Sequence, residues 1–229
     1  MTKVKICGLT EVEPALATAG CGADYLGLVF APSRRRILPE KAGEIVNAVR
    51  EAGYRSSIAG VFVNSAAAEV NLIAESCRLD WVQLSGNETW EYCLDIQRPV
   101  IKTMHISEAC IPGDIIHNIE KGYRLLSRER LMILLDTQGI EAYGGTGRIF
   151  DWQIAKEISR LFPVIVAGGL TPENAGKLVR EVSPWGVDVS SGVETGGRKD
   201  VQKIRDFIYR VKDGGCKFMM NHGEVRESC

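Results

Sequence analysis

Histidine is scarce: His105, His117 and His222 are the only three in 229 residues. So few imidazoles leave little for a His-based triad or metal site, and acid–base chemistry falls to carboxylates and thiols. No C-x-x-C pair occurs among the seven cysteines, Cys7, Cys21, Cys77, Cys93, Cys110, Cys216 and Cys229. An odd count without paired spacing or a secretory leader argues against a disulfide framework and a zinc site. These are read as reduced thiols, most of them small buried hydrophobes. Neither sign of charge dominates, with 28 Lys and Arg against 29 Asp and Glu and a net charge of -1. That balance gives no basic footprint for nucleic acid and no polybasic patch for a membrane. Uninterrupted apolar runs are short, among them Val61–Val63, Leu131–Leu135 and Val164–Ala167. None approaches the roughly 18 to 20 residues of a membrane span, and MTKVKICG enters a strand-like pattern with no apolar signal region. The expectation is a soluble, cytoplasmic protein with no metal, nucleic-acid or membrane partner.

Short apolar runs alternate with amphipathic stretches almost from end to end. The runs are Val4–Cys7, Tyr25–Phe30, Ser57–Asn64, Trp81–Ser85, Val100–His105, Leu131–Asp136, Pro163–Ala167 and Gly186–Ser190. Unbroken apolar strands such as LMILLD and VIVAG suit a parallel sheet buried on both faces. Between them Glu11–Ala19, Pro39–Ala52, Ala66–Cys77, Asp151–Leu161, Pro172–Val182 and Asp200–Val211 read as helices. Thr10, Ser65 and Thr171 are the expected N-caps, with Pro172 at a first helical position. Thr89–Ile96 is a short helix at best, and Ser107–Arg130, with Pro112 and Gly113, reads as one helix plus an irregular stretch. Eight strand–helix units without G-x-G-x-x-G after the first strand favour a closed α/β (β/α)8 TIM barrel over an open doubly wound sheet. The barrel is expected to span residues 1–212 as one domain. Asp213–Cys229 loses periodicity and reads as a frayed tail.

Barrel enzymes carry their active sites at the C-terminal strand ends. There the first strand ends in Lys5-Ile6-Cys7-Gly8, the fourth in Gln83-Leu84-Ser85-Gly86, the sixth in Asp136-Thr137 and the eighth in Asp188-Val189-Ser190. Ser33-Arg34-Arg35-Arg36 follows the second. Singly, each has a bland alternative: a packed thiol, a turn-capping Asp, a solvated arginine loop. Together on one barrel face they point to a site. Gly144-Gly145-Thr146-Gly147, Gly168-Gly169 and Ser190-Ser191-Gly192 add three loops whose backbone N–H groups suit an anion, so a small phosphorylated substrate is expected. Its phosphate is expected on Gly145, Gly147, Gly168, Gly169, Ser190 and Ser191 through backbone donors, with Lys177 and Lys199 the nearest basic residues in sequence.

KICGLT, GLVFAPSRRR, GVFVN, LLDT with YGGTG and FDW, AGGLTPEN and DVSSGVET resemble, in order over residues 3–200, the phosphoribosylanthranilate isomerase family of tryptophan biosynthesis. One block departs: the family's VQLHG is Val82-Gln83-Leu84-Ser85-Gly86 here, so an imidazole is missing at 85. The resemblance implies an Amadori rearrangement that needs no cofactor, since the iminium nitrogen is the electron sink. It assigns Asp136 as general acid and Cys7 as general base, with Arg35 on the anthranilate carboxylate and Gln83 and Asp188 as further substrate-binding positions. Arg34 and Arg36 are alternative registers for Arg35. Family members occur as monomers and homodimers. These roles require a raised Asp136 pKa and a lowered Cys7 pKa, for which Lys5, on the same strand face, is a source of charge. Another phosphosugar barrel is the main rival. The histidine-pathway aminoaldose isomerase is expected to place an Asp where Cys7 stands. A non-catalytic phosphate-binding barrel would not need both Cys7 and Asp136.

Overall fold

Each of the eight apolar runs forms a strand, and all eight are parallel. A computed structural model of the chain describes residues 1–107, 110–136 and 152–213. The strands are β1 Lys3–Cys7, β2 Tyr25–Val29, β3 Ser57–Phe62, β4 Trp81–Leu84, β5 Val100–His105, β6 Leu131–Asp136, β7 Val164–Ala167 and β8 Gly186–Val189. They close in chain order into a barrel, β8 pairing with β1 so that Asp188 stands opposite Lys5. The surrounding helices are α1 Val12–Gly20, α2 Pro39–Glu51, α3 Ala67–Ser76, α4 Trp90–Leu94, α5 Pro112–Leu125, α6 Trp152–Ser159, α7 Pro172–Val182 and α8 Val201–Lys212. After β8 a single 3-10 turn, Ser191–Val193, leads to a small hairpin, β9 Glu194–Thr195 and β10 Arg198–Lys199. Gly196 and Gly197 form its two-residue turn with φ of 58° and 79°, conformations that side-chain-bearing residues rarely adopt.

The period-2 alternation of strand side chains divides the core in two. Outward residues such as Val4, Ile6, Leu26, Leu28 and Val82 pack against the helices. Inward residues Ala59, Ile101, Leu134 and Ile165 fill the barrel, and Trp81, Met132 and Trp185 pack against them. Tyr25 sits between Trp81 and Trp185, 6.2 and 6.0 Å from their rings. Continuing the same alternation toward the C-terminal strand ends brings Cys7, Gln83, Thr103, His105, Asp136 and Asp188 to the inner face. Apolar filling below and polar groups above follow from one sequence pattern.

The helix starts differ from the sequence reading at two points. The N-caps of α1 and α3 are Glu11 and Ala66, one residue after the expected Thr10 and Ser65. At α3 the Ser65 carbonyl instead accepts the Tyr92 hydroxyl at 2.8 Å. At α7 the cap is the expected Thr171, whose N–H donates to the Asn174 side chain at 2.8 Å. Within Ser107–Arg130 the expected single helix is the 14-residue α5, which Pro112 opens where its missing N–H would have had no helical partner, and residues 126–130 are the irregular part. Five strands are shorter than their apolar runs, because Phe30, Val63-Asn64, Ser85, Pro163 and Ser190 lie outside the ladder. Among the described residues no helix is long and apolar enough to cross a membrane, and no cluster of three or more His, Cys, Asp and Glu could hold a metal ion. The expected tail falls, from residue 214 onward, outside the described residues.

Candidate active site

The seam where the barrel closes carries its most buried charges. Lys5, fully enclosed, places Nζ 3.1 Å from Oδ2 of Asp188, its register partner. Burial works to lower the Lys5 pKa, but the paired Asp188 carboxylate, helped by the neighbouring Cys7, outweighs it and holds the ammonium above its ordinary value. Burial pushes Asp188 up, only partly countered by Lys5. Cys7 ends β1 beside this pair. Gly27 on β2 makes the room: a Cβ there would stand 2.9 Å from Cys7 Sγ and 3.0 Å from Lys5 Nζ. The thiol pKa is not lowered as expected. Burial raises it, Asp188 adds to the rise, and Lys5 and Lys199 pull back without prevailing. Because Lys5 is already paired with a carboxylate, its charge is largely cancelled at the sulfur, and the resting group is the thiol.

Asp136 ends β6 and is half-buried. Its pKa is raised, as the general-acid role requires, by desolvation acting against the charges of His105 and Lys5. Its register partner is His105, the last residue of β5. Polar groups of β4 and β5 extend the same rim. Gln83 Nε2 donates to Ser85 Oγ at 3.0 Å, and Ser85 Oγ shares a hydrogen bond with Thr103 Oγ1 at 2.9 Å. The imidazole absent at 85 stands instead on the next strand, with His105 Nε2 3.0 Å from the Ser85 carbonyl oxygen. Gln83 Oε1, His105 Nδ1 and Asp188 Oδ1 are buried without hydrogen-bond partners among the described residues. Three unsatisfied polar atoms around one barrel mouth mark where a polar ligand is expected.

The arginine loop reaches the mouth through a carboxylate that the sequence reading did not single out. Glu194 on β9 receives Arg35 as a two-pronged pair, Nε at 2.6 Å and Nη2 at 2.9 Å, with Arg34 Nη2 at 2.7 Å and Lys199 Nζ at 2.9 Å. Burial alone would raise its pKa, but these cations take it down to about 2. Arg35 crosses directly over Gly8, the residue after Cys7; a Cβ at Gly8 would lie 2.3 Å from Arg35 Cδ. Arg36 is exposed and pairs through its backbone with Val29. Of the three arginines, Arg34 and Arg35 converge on the mouth.

The loops after β7 and β8 touch: a Cβ at Gly192 would overlap the Leu170 carbonyl. Gly168 and Gly169 have φ of 98° and 61°, and a Cβ at Gly169 would meet no atom of the described residues within 4 Å. Ser190 Oγ donates to the Cys7 carbonyl at 3.0 Å and links the β8 loop to the thiol strand. Of the two basic residues nearest these loops in sequence, Lys199 reaches them: its buried Nζ donates to the Ser190 carbonyl at 2.9 Å. Lys177 lies away from the loop, over the Trp152 ring. Gly145 and Gly147 lie outside the described residues. Gly168-Gly169 and Ser190-Ser191 thus belong to two touching loops, the second of them tied to Cys7 through Ser190.

Glu194, Gly27 and His105 were not singled out as site residues in the sequence, and Lys199 was named only as a nearby basic residue. For His105 the signal was present, because Ile101, Thr103 and His105 share one strand face. For Glu194 it lay only in its block, DVSSGVET.

A family model described as N-(5'phosphoribosyl)anthranilate (PRA) isomerase matches residues 4–210. The chain is 53% identical over 213 residues to an N-(5'-phosphoribosyl)anthranilate isomerase of Dehalococcoides mccartyi, covering 93% of this chain and 97% of the relative. Among solved structures it resembles a phosphoribosyl anthranilate isomerase in complex with reduced 1-(o-carboxyphenylamino)-1-deoxyribulose 5-phosphate, at TM-score 0.75 and 36% identity over 93% of this chain and 100% of that one. It also resembles monomers of the dimeric enzyme from Thermotoga maritima, at TM-score 0.76 and 35% identity, again over 93% of this chain and 100% of that one.

Proposed function

The chain belongs to the N-(5'-phosphoribosyl)anthranilate isomerase family, and we propose that Cys7 and Asp136 are the base and acid of its reaction. That reaction is the Amadori rearrangement of N-(5'-phosphoribosyl)anthranilate to 1-(2-carboxyphenylamino)-1-deoxyribulose 5-phosphate, a step of tryptophan biosynthesis. The observation that carries the assignment is the placement of a thiol and of a carboxyl whose pKa burial raises on the inner rim of one barrel mouth, at the ends of β1 and β6.

The steps follow from the groups present. Asp136, its pKa raised by burial, gives its proton to the furanose ring oxygen as the nitrogen lone pair opens the ring to an iminium. The Cys7 thiolate then takes the proton from C2, and the electron pair flows to the iminium nitrogen as an enolamine forms. Tautomerisation places one proton on C1 and removes one from the C2 hydroxyl, so the two enzyme groups end as they began. Because Cys7 rests as a thiol, the reaction proceeds through the fraction of the enzyme that holds the thiolate and the protonated Asp136 together.

Arg35 and Arg34 supply the anthranilate carboxylate with a charge-assisted site. Glu194 holds Arg35 by one edge of its guanidinium, Nε and Nη2, which directs the remaining Nη1 donors elsewhere. Gln83 and Asp188 offer Oε1 and Oδ1 to the ribose hydroxyls, which would satisfy both atoms. The phosphate is assigned to the Gly168-Gly169 and Ser190-Ser191 backbone, and Lys199 adds positive charge behind Ser190. The protein is proposed to act in the cytoplasm, as a monomer or a homodimer.

The test generates the fluorescent substrate in situ from anthranilate and phosphoribosyl pyrophosphate with a transferase. Enzyme-dependent loss of fluorescence is expected. No loss with folded protein would overturn the proposal.

A further inference from the structure

Three cations converge on the Glu194 carboxylate, and one of its oxygens joins two parts of the mouth that the chain delivers separately. Oε1 accepts from Arg35 Nε at 2.6 Å and from Lys199 Nζ at 2.9 Å. Arg35 belongs to the loop after β2, whereas Lys199 also donates to the Ser190 carbonyl of the β8 loop at 2.9 Å. Oε2 takes Arg35 Nη2 at 2.9 Å and Arg34 Nη2 at 2.7 Å. The joint is itself fixed in place. The β9–β10 hairpin sets Lys199 opposite Glu194, and Lys203 Nζ donates to the Glu194 carbonyl at 2.8 Å.

The charges at this joint do not balance. The side chains of Glu194 and Lys199 are each 4% exposed and that of Arg35 21%, so two largely enclosed cations share one carboxylate. Arg34, 59% exposed, keeps its charge in water. A purely structural ion pair needs one enclosed cation, because an unmatched one is costly. The surplus positive charge stands beside the arginine loop, assigned to a carboxylate, and the Ser190 loop, assigned to a phosphate. We propose that Glu194 is a positioning residue that holds these two anion subsites at one separation, so that the mouth selects a ligand carrying both a carboxylate and a phosphate. Glu194 acts through Arg35 and Lys199. Without its charge, these two would face one another as like charges and drift apart, and each would have to be ordered again on binding. A lone anion meets one arm and does not sense the separation; a ligand that bridges both arms does.

This role rests on the anion assignments of Arg35 and the Ser190 loop, but it is read without turnover. Calorimetry on the full-length protein compares two probes. Reduced 1-(o-carboxyphenylamino)-1-deoxyribulose 5-phosphate, the ligand of the related solved structure, carries both anions, and inorganic phosphate supplies one. In Glu194→Gln the two-anion probe is expected to bind about tenfold more weakly, the size of a coupling between groups in contact, and phosphate to stay within about threefold of wild type. In an Arg35→Ala background, Glu194→Gln should add no more than about threefold to the loss, because its route to the carboxylate is already gone. Glu194→Asp keeps the charge but shortens the reach by one methylene. It should show the same selective loss, and it carries the test if Glu194→Gln does not fold. Equal losses for the two probes, unchanged or tighter binding of the two-anion probe, or losses that add to those of Arg35→Ala would overturn the proposal. So would a wild type that does not bind the two-anion probe, whatever its turnover. If wild type binds that probe but leaves the substrate unconsumed, the assigned reaction falls, while the role of Glu194 is still decided by these affinities.

Discussion

The two ends of the barrel treat their polar groups in opposite ways. At the N-terminal end, Asp24 accepts from Lys3 Nζ at 2.9 Å and from the Val4 N–H at 3.0 Å. Asp80 accepts from Arg50 Nη2 at 2.5 Å and from the Ile58 N–H at 2.7 Å, while Arg50 also donates to the Ser56 carbonyl. Each carboxylate there ties down the start of a strand. At the C-terminal end Gln83, His105 and Asp188 each keep a buried polar atom unpaired, Cys7 is held as a thiol by burial, and Asp136 is pushed toward its neutral form. The carboxylates of the first end are paired and tie strands down, whereas among the described residues three polar side chains of the second keep a buried atom unpaired. Buried polar groups are normally paired, so the contrast itself locates the chemistry.

Substitutions at the two ends should therefore separate activity from stability. The largest loss is expected for Cys7→Ala, which should cut kcat by at least about a hundredfold, the usual size of a general-base contribution, with an unchanged circular dichroism spectrum. Near wild-type turnover would remove Cys7 from the mechanism. Asp136→Asn should lose a comparable factor with a modest change in KM. Because Asp136 must be protonated while Cys7 is ionised, the two titrations offset one another between the raised Asp136 pKa and the higher Cys7 pKa, and wild-type kcat/KM is expected to be flat there; in Asp136→Asn only the thiol's titration remains, so the residual kcat/KM should climb with pH over the same range.

Arg35→Ala is expected to act mainly on KM, through loss of a charge-assisted contact worth roughly 1.5 to 3 kcal/mol. A larger KM effect from Arg34→Ala would move the carboxylate contact one residue back. Glu194 gives a smaller, pH-dependent effect. Its pKa of about 2 lies below the ordinary 4.5, so its stabilisation is complete above pH 4.5 and disappears as pH falls toward 2. Melting temperatures of wild type and Glu194→Gln should converge over that window. At the opposite end, Asp80→Asn should cost about 1 to 3 kcal/mol of stability through its unpaired neighbours, and leave kcat within about twofold. A large loss of turnover there would break the division between the ends.

The division was partly visible in the sequence. Apolar runs broken at near-regular intervals identify parallel strands, because a sheet covered on both faces needs no alternation. Cys7, Asp136 and Asp188 stand out because each ends such a run with a group the core does not require. Contacts that depend on closure were hidden. Glu194 meets Arg35 across 159 positions, and nothing local to either residue announces it. The direction of the Cys7 pKa was misjudged for a related reason: Lys5 is near in sequence, whereas its neutralising partner Asp188 arrives from the far end of the chain. Thr10 and Ser65 failed as caps because their helices begin one residue further on, a distinction the N-cap pattern is too coarse to make.

The Lys5–Asp188 pair has a consequence for how the molecule comes into being. Its partners are 183 positions apart, so during synthesis the first strand emerges with a lysine destined for the interior long before its counter-ion exists. A partial barrel of six or seven strands would enclose an uncompensated ammonium, which is strongly unfavourable. The last strand therefore shuts the barrel and discharges it in the same event. Truncated or prematurely released chains should neither settle into a dry core nor display a working thiol.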